Sequence, residues 1–167
     1  MSLSSVTLGS TSIPTYASVA EANAYMLAEA GPQRTTWNAA ETDAKRRALV
    51  TATRALDRLP WRGTKAQASQ ATAWPRAGIG TTGVPAGIEA AAILIAADLV
   101  RHPRELTGDA MDVKREQIGP KEAEYFRHLP DPLERTLGLD LAAIVRPYVA
   151  QWLALAPASP YAVGDAT

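Results

Sequence analysis

About one residue in five of this chain is alanine: 33 of 167, as many as leucine, isoleucine, valine and phenylalanine together, which also number 33. Alanine is the strongest helix former and buries little area per residue. A chain built this way is expected to pack helices around a thin core. Its large aliphatic share lies near the ~20% below which chains tend to stay unfolded, but that outcome also requires high net charge. Here 17 Lys and Arg balance 17 Asp and Glu, so a folded helical domain is expected. A thin core also hints that neighbouring copies supply burial that one chain lacks.

The same composition excludes several function classes. Zero net charge argues against a dedicated polybasic nucleic-acid binder. The absence of cysteine removes disulfides, thiolate metal sites and cysteine nucleophiles. The opening Met1-Ser-Leu-Ser-Ser has no basic segment backed by an apolar one, and no apolar run approaches the ~18 residues of a membrane span. A soluble intracellular protein is expected, with no membrane contact. The length fits one domain, taken as residues 1–155 with an extended tail over 156–167.

Along the chain, residues 1–16 lean towards β structure, with Ile13-Pro14 as an extended entry. Ser18 and Glu21 have capping-box spacing, and Gly31-Pro32 ends the helix they open. A second helix is expected from about Asn38 to Leu59, with Ala44, Ala48, Ala52, Ala55, Leu56 and Leu59 on its apolar side. Its other side carries Lys45, Arg46, Arg47, Arg54 and Arg58, with Asp43 and Asp57 among them. Residues 61–84 form a long irregular loop of a kind that is usually functional or mobile. The third helix opens at Pro85, buries Ile88, Ala91, Ala92, Ile95 and Leu99, and ends at His102-Pro103. Weak alternation around Gly119-Pro120 predicts a β-hairpin over about 113–126. A last helical stretch runs from Leu139 through Val145 and is kinked or ended by Pro147. The fold class is mainly α: a small helical bundle with a long irregular loop, one β-hairpin and an extended C-terminal tail.

Chemistry-bearing patterns are few. Gly78-x-Gly80-x-x-Gly83 matches the dinucleotide fingerprint by letters, but Trp74-Pro75 replaces the strand that must precede it, and Asp98 lies inside a helix. His102 and His128 border prolines at element ends and have no second ligand at helical or hairpin spacing. Asp109 and Asp112 lack the calcium-loop pattern. Glu122 and Glu124, opposite Lys114 and Arg115, read as cross-strand ion pairs. No catalytic residue, metal ligand or cofactor site is expected, and an enzyme is not. The feature that remains is Arg47, Arg54 and Arg58 on one helical face with Trp61-Arg62 just beyond. Arginine and tryptophan together can hold single-stranded nucleic acid by phosphate contact and base stacking. A solvated face or subunit interface is the alternative.

Six segments in order resemble a known family. They are Tyr16-Ala-Ser-Val-Ala-Glu-Ala-Asn-Ala-Tyr25, Arg47-Ala-Leu-Val-Thr-Ala-Thr-Arg-Ala-Leu-Asp57, Leu59-Pro-Trp-Arg-Gly63, Ala73-Trp-Pro-Arg-Ala-Gly78, Val84-Pro-Ala-Gly-Ile88, and Lys114-Arg-Glu-Gln-Ile-Gly-Pro120 with Glu124-Tyr125. Over residues 14 to 150 this pattern is similar to the head–tail connector (adaptor) proteins of tailed bacteriophages, some of which are labelled DnaT-like single-stranded-DNA-binding proteins. The resemblance implies a virion protein of the neck, made in the host cytoplasm. It would form a ring, dodecameric in the family, under the portal protein. Such a ring binds neighbouring copies of itself, docks a downstream neck or tail protein, and passes the double-stranded genome through its lumen without specific binding. Under that reading Trp61, Trp74 and Arg76 in the loop, and Trp152 or Tyr161 in the tail, are the expected subunit or portal contacts, as anchor residues on irregular segments. The alternative is a DnaT-like single-stranded-DNA-binding module using Arg47, Arg54, Arg58 and Trp61.

Overall fold

A computed structural model describes residues 3–102 and 139–150. Its first element is a hairpin of two antiparallel strands, β1 (Ser4–Leu8) and β2 (Thr11–Thr15), with Val6 opposite Ile13. Gly9 makes the turn at φ 60°, a left-handed conformation that glycine adopts without steric cost. The β-leaning start is therefore a paired hairpin and not a lone extended entry. The hairpin expected over 113–126 lies outside the described residues, as does the tail over 156–167.

Helix α1 (Val19–Ala28) begins as its sequence spacing predicts. Ser18 Oγ accepts from the Glu21 amide at 3.2 Å, and Glu21 Oε2 accepts from the Ser18 amide at 2.6 Å. That second bond is the main reason the Glu21 carboxyl is held below its ordinary pKa. The next segment departs from expectation. Gly31-Pro32 both ends one helix and starts another, because proline at the first helical position sacrifices no hydrogen bond. The result is α2 (Pro32–Ala39), then a break at Ala40 and Glu41, both extended, and then α3 (Thr42–Asp57). The expected 38–59 helix is thus two helices. The break turns Trp37 into the core, where its Nε1 donates to Asn23 Oδ1 at 2.9 Å and the Lys45 ammonium lies 5.5 Å from its ring centre.

Helix α4 (Ala86–Arg101) is the centre of the bundle. Ile88, Ala91, Ala92, Ile93, Ile95, Ala96 and Ala97 are buried along it, and α3, α2, α1 and α5 (Leu139–Val145) all pack on it. Its alanines let the neighbouring helices close in, so a core with few large aliphatic residues still excludes water. A 3-10 turn, Arg146–Tyr148, follows α5. Among the described residues no helix is long and apolar enough to cross a membrane.

The loop over 61–84 is tied down from Trp61 to Ala77. Two short strands, β3 (Thr64–Lys65) and β4 (Arg76–Ala77), pair antiparallel across it, and the Trp74–Pro75 peptide is cis. Arg76 is its clasp. Nε donates to Arg62 O at 2.6 Å, Nη1 to Ala73 O at 3.2 Å, and Nη2 to the Trp61 and Gly63 carbonyls. Gly63 stands at φ 70°, and a Cβ there would collide with the Ala77 carbonyl. The C-terminal segment seals the base of the loop: the Arg62 amide donates to Tyr148 O at 2.9 Å and the Ala150 amide to Pro60 O at 2.7 Å.

One buried knot joins hairpin, helix and loop. The Tyr16 amide donates to Thr53 Oγ1 at 3.2 Å, and its phenol donates to Asp57 Oδ1. The same carboxylate oxygen accepts from the Ala73 amide at 2.8 Å, and the Trp74 amide donates to the Tyr16 oxygen at 3.3 Å. Burial, and then the hydrogen bond to Asp57 and the Asp57 charge, push the Tyr16 phenol far above its usual range. Tyr16→Phe keeps the ring but strips Asp57 of a donor, so it should cost about 1–3 kcal/mol in a urea unfolding curve while leaving the helical content intact. Glu89, half-buried on α4, has its carboxyl pKa raised by burial and then by the nearby Glu21 charge. A raised folded pKa makes the ionised form a liability that is absent below the unfolded value and complete above the folded one. Glu89→Gln should therefore raise the melting temperature at neutral pH and lose that gain as pH falls through the carboxylate range.

Candidate nucleic-acid interface

The charges of α3 divide by face. Lys45 is buried, Asp57 turns inward to Tyr16, and Arg46 pairs with Asp43 at 2.9 Å. Arg47, Arg54 and Arg58 are exposed and have no ion pair or side-chain hydrogen bond among the described residues. At helical pitch the three fall within about 40° of arc and span about 16 Å of the helix axis. They form a straight basic ridge. Thr51 lies beside it, its hydroxyl donating to Arg47 O at 2.9 Å. At the head of the ridge an open hollow is lined by Glu41, Thr42, Asp43, Ala44 and Arg47, and the two acids there mark where the basic face ends.

Zero net charge conceals this segregation. From Ala44 to Ile88 the chain carries eight Lys and Arg residues and one acid, Asp57. That acid is consumed by the Tyr16 knot, so it does not offset the surface. The balancing acids lie elsewhere along the chain. Whole-chain charge therefore misses the feature, and a running charge count would have found it. The inference against nucleic acid from net charge does not hold for this surface.

The expected aromatic partners are elsewhere. Trp61 is 6% exposed and Trp74 fully buried. Trp61 Nε1 donates to Leu56 O at 2.9 Å, the two indoles meet edge to face at 5.6 Å, and Trp74 meets the Tyr148 ring edge to face at 5.7 Å. Neither indole offers a face to a base or to another protein. The physical reason is that an indole is the largest apolar group available to a core otherwise filled with alanine. Arg76, expected as a contact, spends its guanidinium on four carbonyls of the loop. These three residues are a structural unit rather than a docking surface. Trp152 and Tyr161 lie outside the described residues. Of the alternative set, the structure brings Arg47, Arg54 and Arg58 together and removes Trp61 from the surface.

The glycines at 78, 80 and 83 all take positive φ, at 82°, 71° and 90°, and serve loop turns rather than a phosphate cradle at a strand–helix junction. Among the described residues no group of three His, Asp or Glu could hold a metal ion.

A family model described as "Putative DnaT-like ssDNA binding protein" matches residues 7–155. No curated protein and no solved structure matches the chain.

The burial of the indoles has a direct optical test. In a Trp152→Phe variant, the remaining three tryptophans should emit at short wavelength and resist iodide quenching. Strong quenching would return Trp61 or Trp74 to the surface. Trp74→Ala should cost about 3–5 kcal/mol, a large part of a domain's stability of about 5–15 kcal/mol, so it tests folding before it tests any contact.

Proposed function

The chain belongs to this DnaT-like family, and from that membership and the α3 ridge we propose that it is a single-stranded-DNA-binding module. The observation that carries the reading is the set of three exposed arginines on one helical face, without an ion pair among the described residues. Guanidinium groups donate in a planar fork that fits phosphate oxygens. An exposed Arg without a carboxylate partner can bind one without first breaking an ion pair. With Trp37, Trp61 and Trp74 buried, binding by the described residues rests on phosphate contacts, without the indole stacking that usually adds ~1–3 kcal/mol per base. The affinity is therefore modest and strongly dependent on salt.

A second reading is the connector of the phage neck, a ring on the portal protein. It is supported by the six ordered sequence segments and by an exposed small-residue face on α1. That face comprises Ala20, Ala24, Leu27 and Ala28, with Leu27 66% exposed. A closed ring needs one face of each copy to meet a different face of the next, and an unshielded leucine among alanines suits a close helix contact.

One set of measurements separates the two. Titration of a labelled oligonucleotide at low salt should show binding, with log K falling against log salt at a slope of about −2, the value for three phosphates. The triple variant Arg47→Ala, Arg54→Ala, Arg58→Ala should abolish it without altering the circular dichroism. No binding at low salt would defeat the module. A symmetric collar on the portal ring in electron micrographs, lost in Leu27→Glu, would establish the connector in its place.

A further inference from the structure

On the reading that α3 binds a nucleic-acid strand, we infer that the site does not end with the helix. The strand continues past Arg58 onto Arg62 and Lys65, so that Arg47, Arg54, Arg58, Arg62 and Lys65 form one track. The chain itself keeps the connection short. Arg62 follows Arg58 by four residues, a reach of at most about 14 Å if fully extended, and the segment is not extended. The Leu59 amide donates to Leu56 O at 3.0 Å, the Trp61 amide to Leu59 O at 3.0 Å, and Trp61 Nε1 to Leu56 O at 2.9 Å. Trp61 is thereby pinned to the last turn of α3, and Arg62 emerges beside the end of the ridge. Its backbone is held on both sides, the amide donating to Tyr148 O at 2.9 Å and the carbonyl accepting from Arg76 Nε at 2.6 Å.

Arg62 and Lys65 are both exposed, and the bonds they make leave their charge in place. Arg62 Nη1 donates to Pro147 O at 3.2 Å and Lys65 Nζ to Gln70 O at 3.3 Å. Both acceptors are neutral carbonyls, and each bond uses one donor of a group that has several. Antiparallel pairing sets Lys65 opposite Arg76, so their side chains leave the same face of the β3–β4 pair. The Arg76 guanidinium is likewise bonded to neutral carbonyls. It is spent on the loop and grips no phosphate, but its charge adds to the field around it, which reaches about 8 Å at physiological salt. A strand running off the end of α3 therefore meets more fixed positive charge.

The test is anisotropy titration of the full chain with labelled oligo-dT strands from about 4 to about 16 nucleotides long, the range of ordinary single-strand sites. A strand that covers the ridge alone keeps the salt slope of about −2, and one long enough to reach Lys65 should steepen it to about −3.5, the value for five phosphates. Extra length by itself offers more binding registers, which raises K and leaves the slope alone. The double variant Arg62→Ala, Lys65→Ala should hold the slope at about −2 at every length, its circular dichroism unchanged. The charge-keeping pair Arg62→Lys, Lys65→Arg should retain the steeper slope. A wild-type slope of about −2 at every length overturns the inference while leaving the DNA-binding module standing. Steepening shared by the wild type and the double alanine variant places the added contacts elsewhere and overturns it as well. Failure of every strand to bind overturns both.

Discussion

The shared carboxylate of Asp57 is the point on which the rest of the architecture hangs. It accepts from a phenol on the segment after the hairpin and from an amide in the tryptophan loop, while standing at the C-terminal end of α3. Three pieces of chain far apart in sequence are thus fixed to one group. A half-buried carboxylate with two donors is well satisfied, and each donor it loses costs the desolvation of a charge. Held by these two donors, Asp57 makes no ion pair with Arg54 or Arg58. The carboxylate that ties the fold together is thus not spent on the neighbouring arginines, which have no ion pair among the described residues.

The helices were legible in the sequence wherever a local signal decides them. The capping box at Ser18, the start of α4 beside Pro85, its buried isoleucines, and the α5 span from Leu139 to Val145 all follow from caps, prolines and period. The split between α2 and α3 was not legible from periodicity, since apolar spacing runs on across Ala39 and Ala40. What breaks the helix is the need to turn Trp37 onto the core and Lys45 over its ring, and both are tertiary demands. The N-terminal hairpin was half legible: its residues read as extended, but pairing depends on a turn at Gly9 that weak alternation does not announce. The candidate site was legible in its arginines and misread in its tryptophans. Residue type says that an indole on a loop could dock something, and only the fold shows that an alanine-filled core needs the indole more.

That division of labour explains how so irregular a loop can be so fixed. Its ring-to-ring contacts, Trp61 on Trp74 and Trp74 on Tyr148, join the loop to the one core that α3 and α4 also line. Around this core the loop carbonyls would be left unpaired in a less polar setting, and Arg76 meets four of them at once. The C-terminal turn adds main-chain bonds to Pro60 and Arg62, so the segment after α5 closes on the base of the loop. Length and lack of regular elements suggest mobility in a loop, but hydrogen bonding decides it.

With Trp37, Trp61 and Trp74 spent on the core, Asp57 on Tyr16 and Asp43 on Arg46, the outward surface of α3 is defined by subtraction. Three arginines remain that nothing among the described residues uses, and stability alone gives no reason to keep cations in line without partners. Like charges along one helix face repel, mildly but unfavourably. A solvated row of this kind costs little in a monomer and gains only when an anion supplies the missing charge. The family to which the chain belongs supplies a candidate in single-stranded DNA. The physics adds that such a ligand would be held by its phosphates and released by salt.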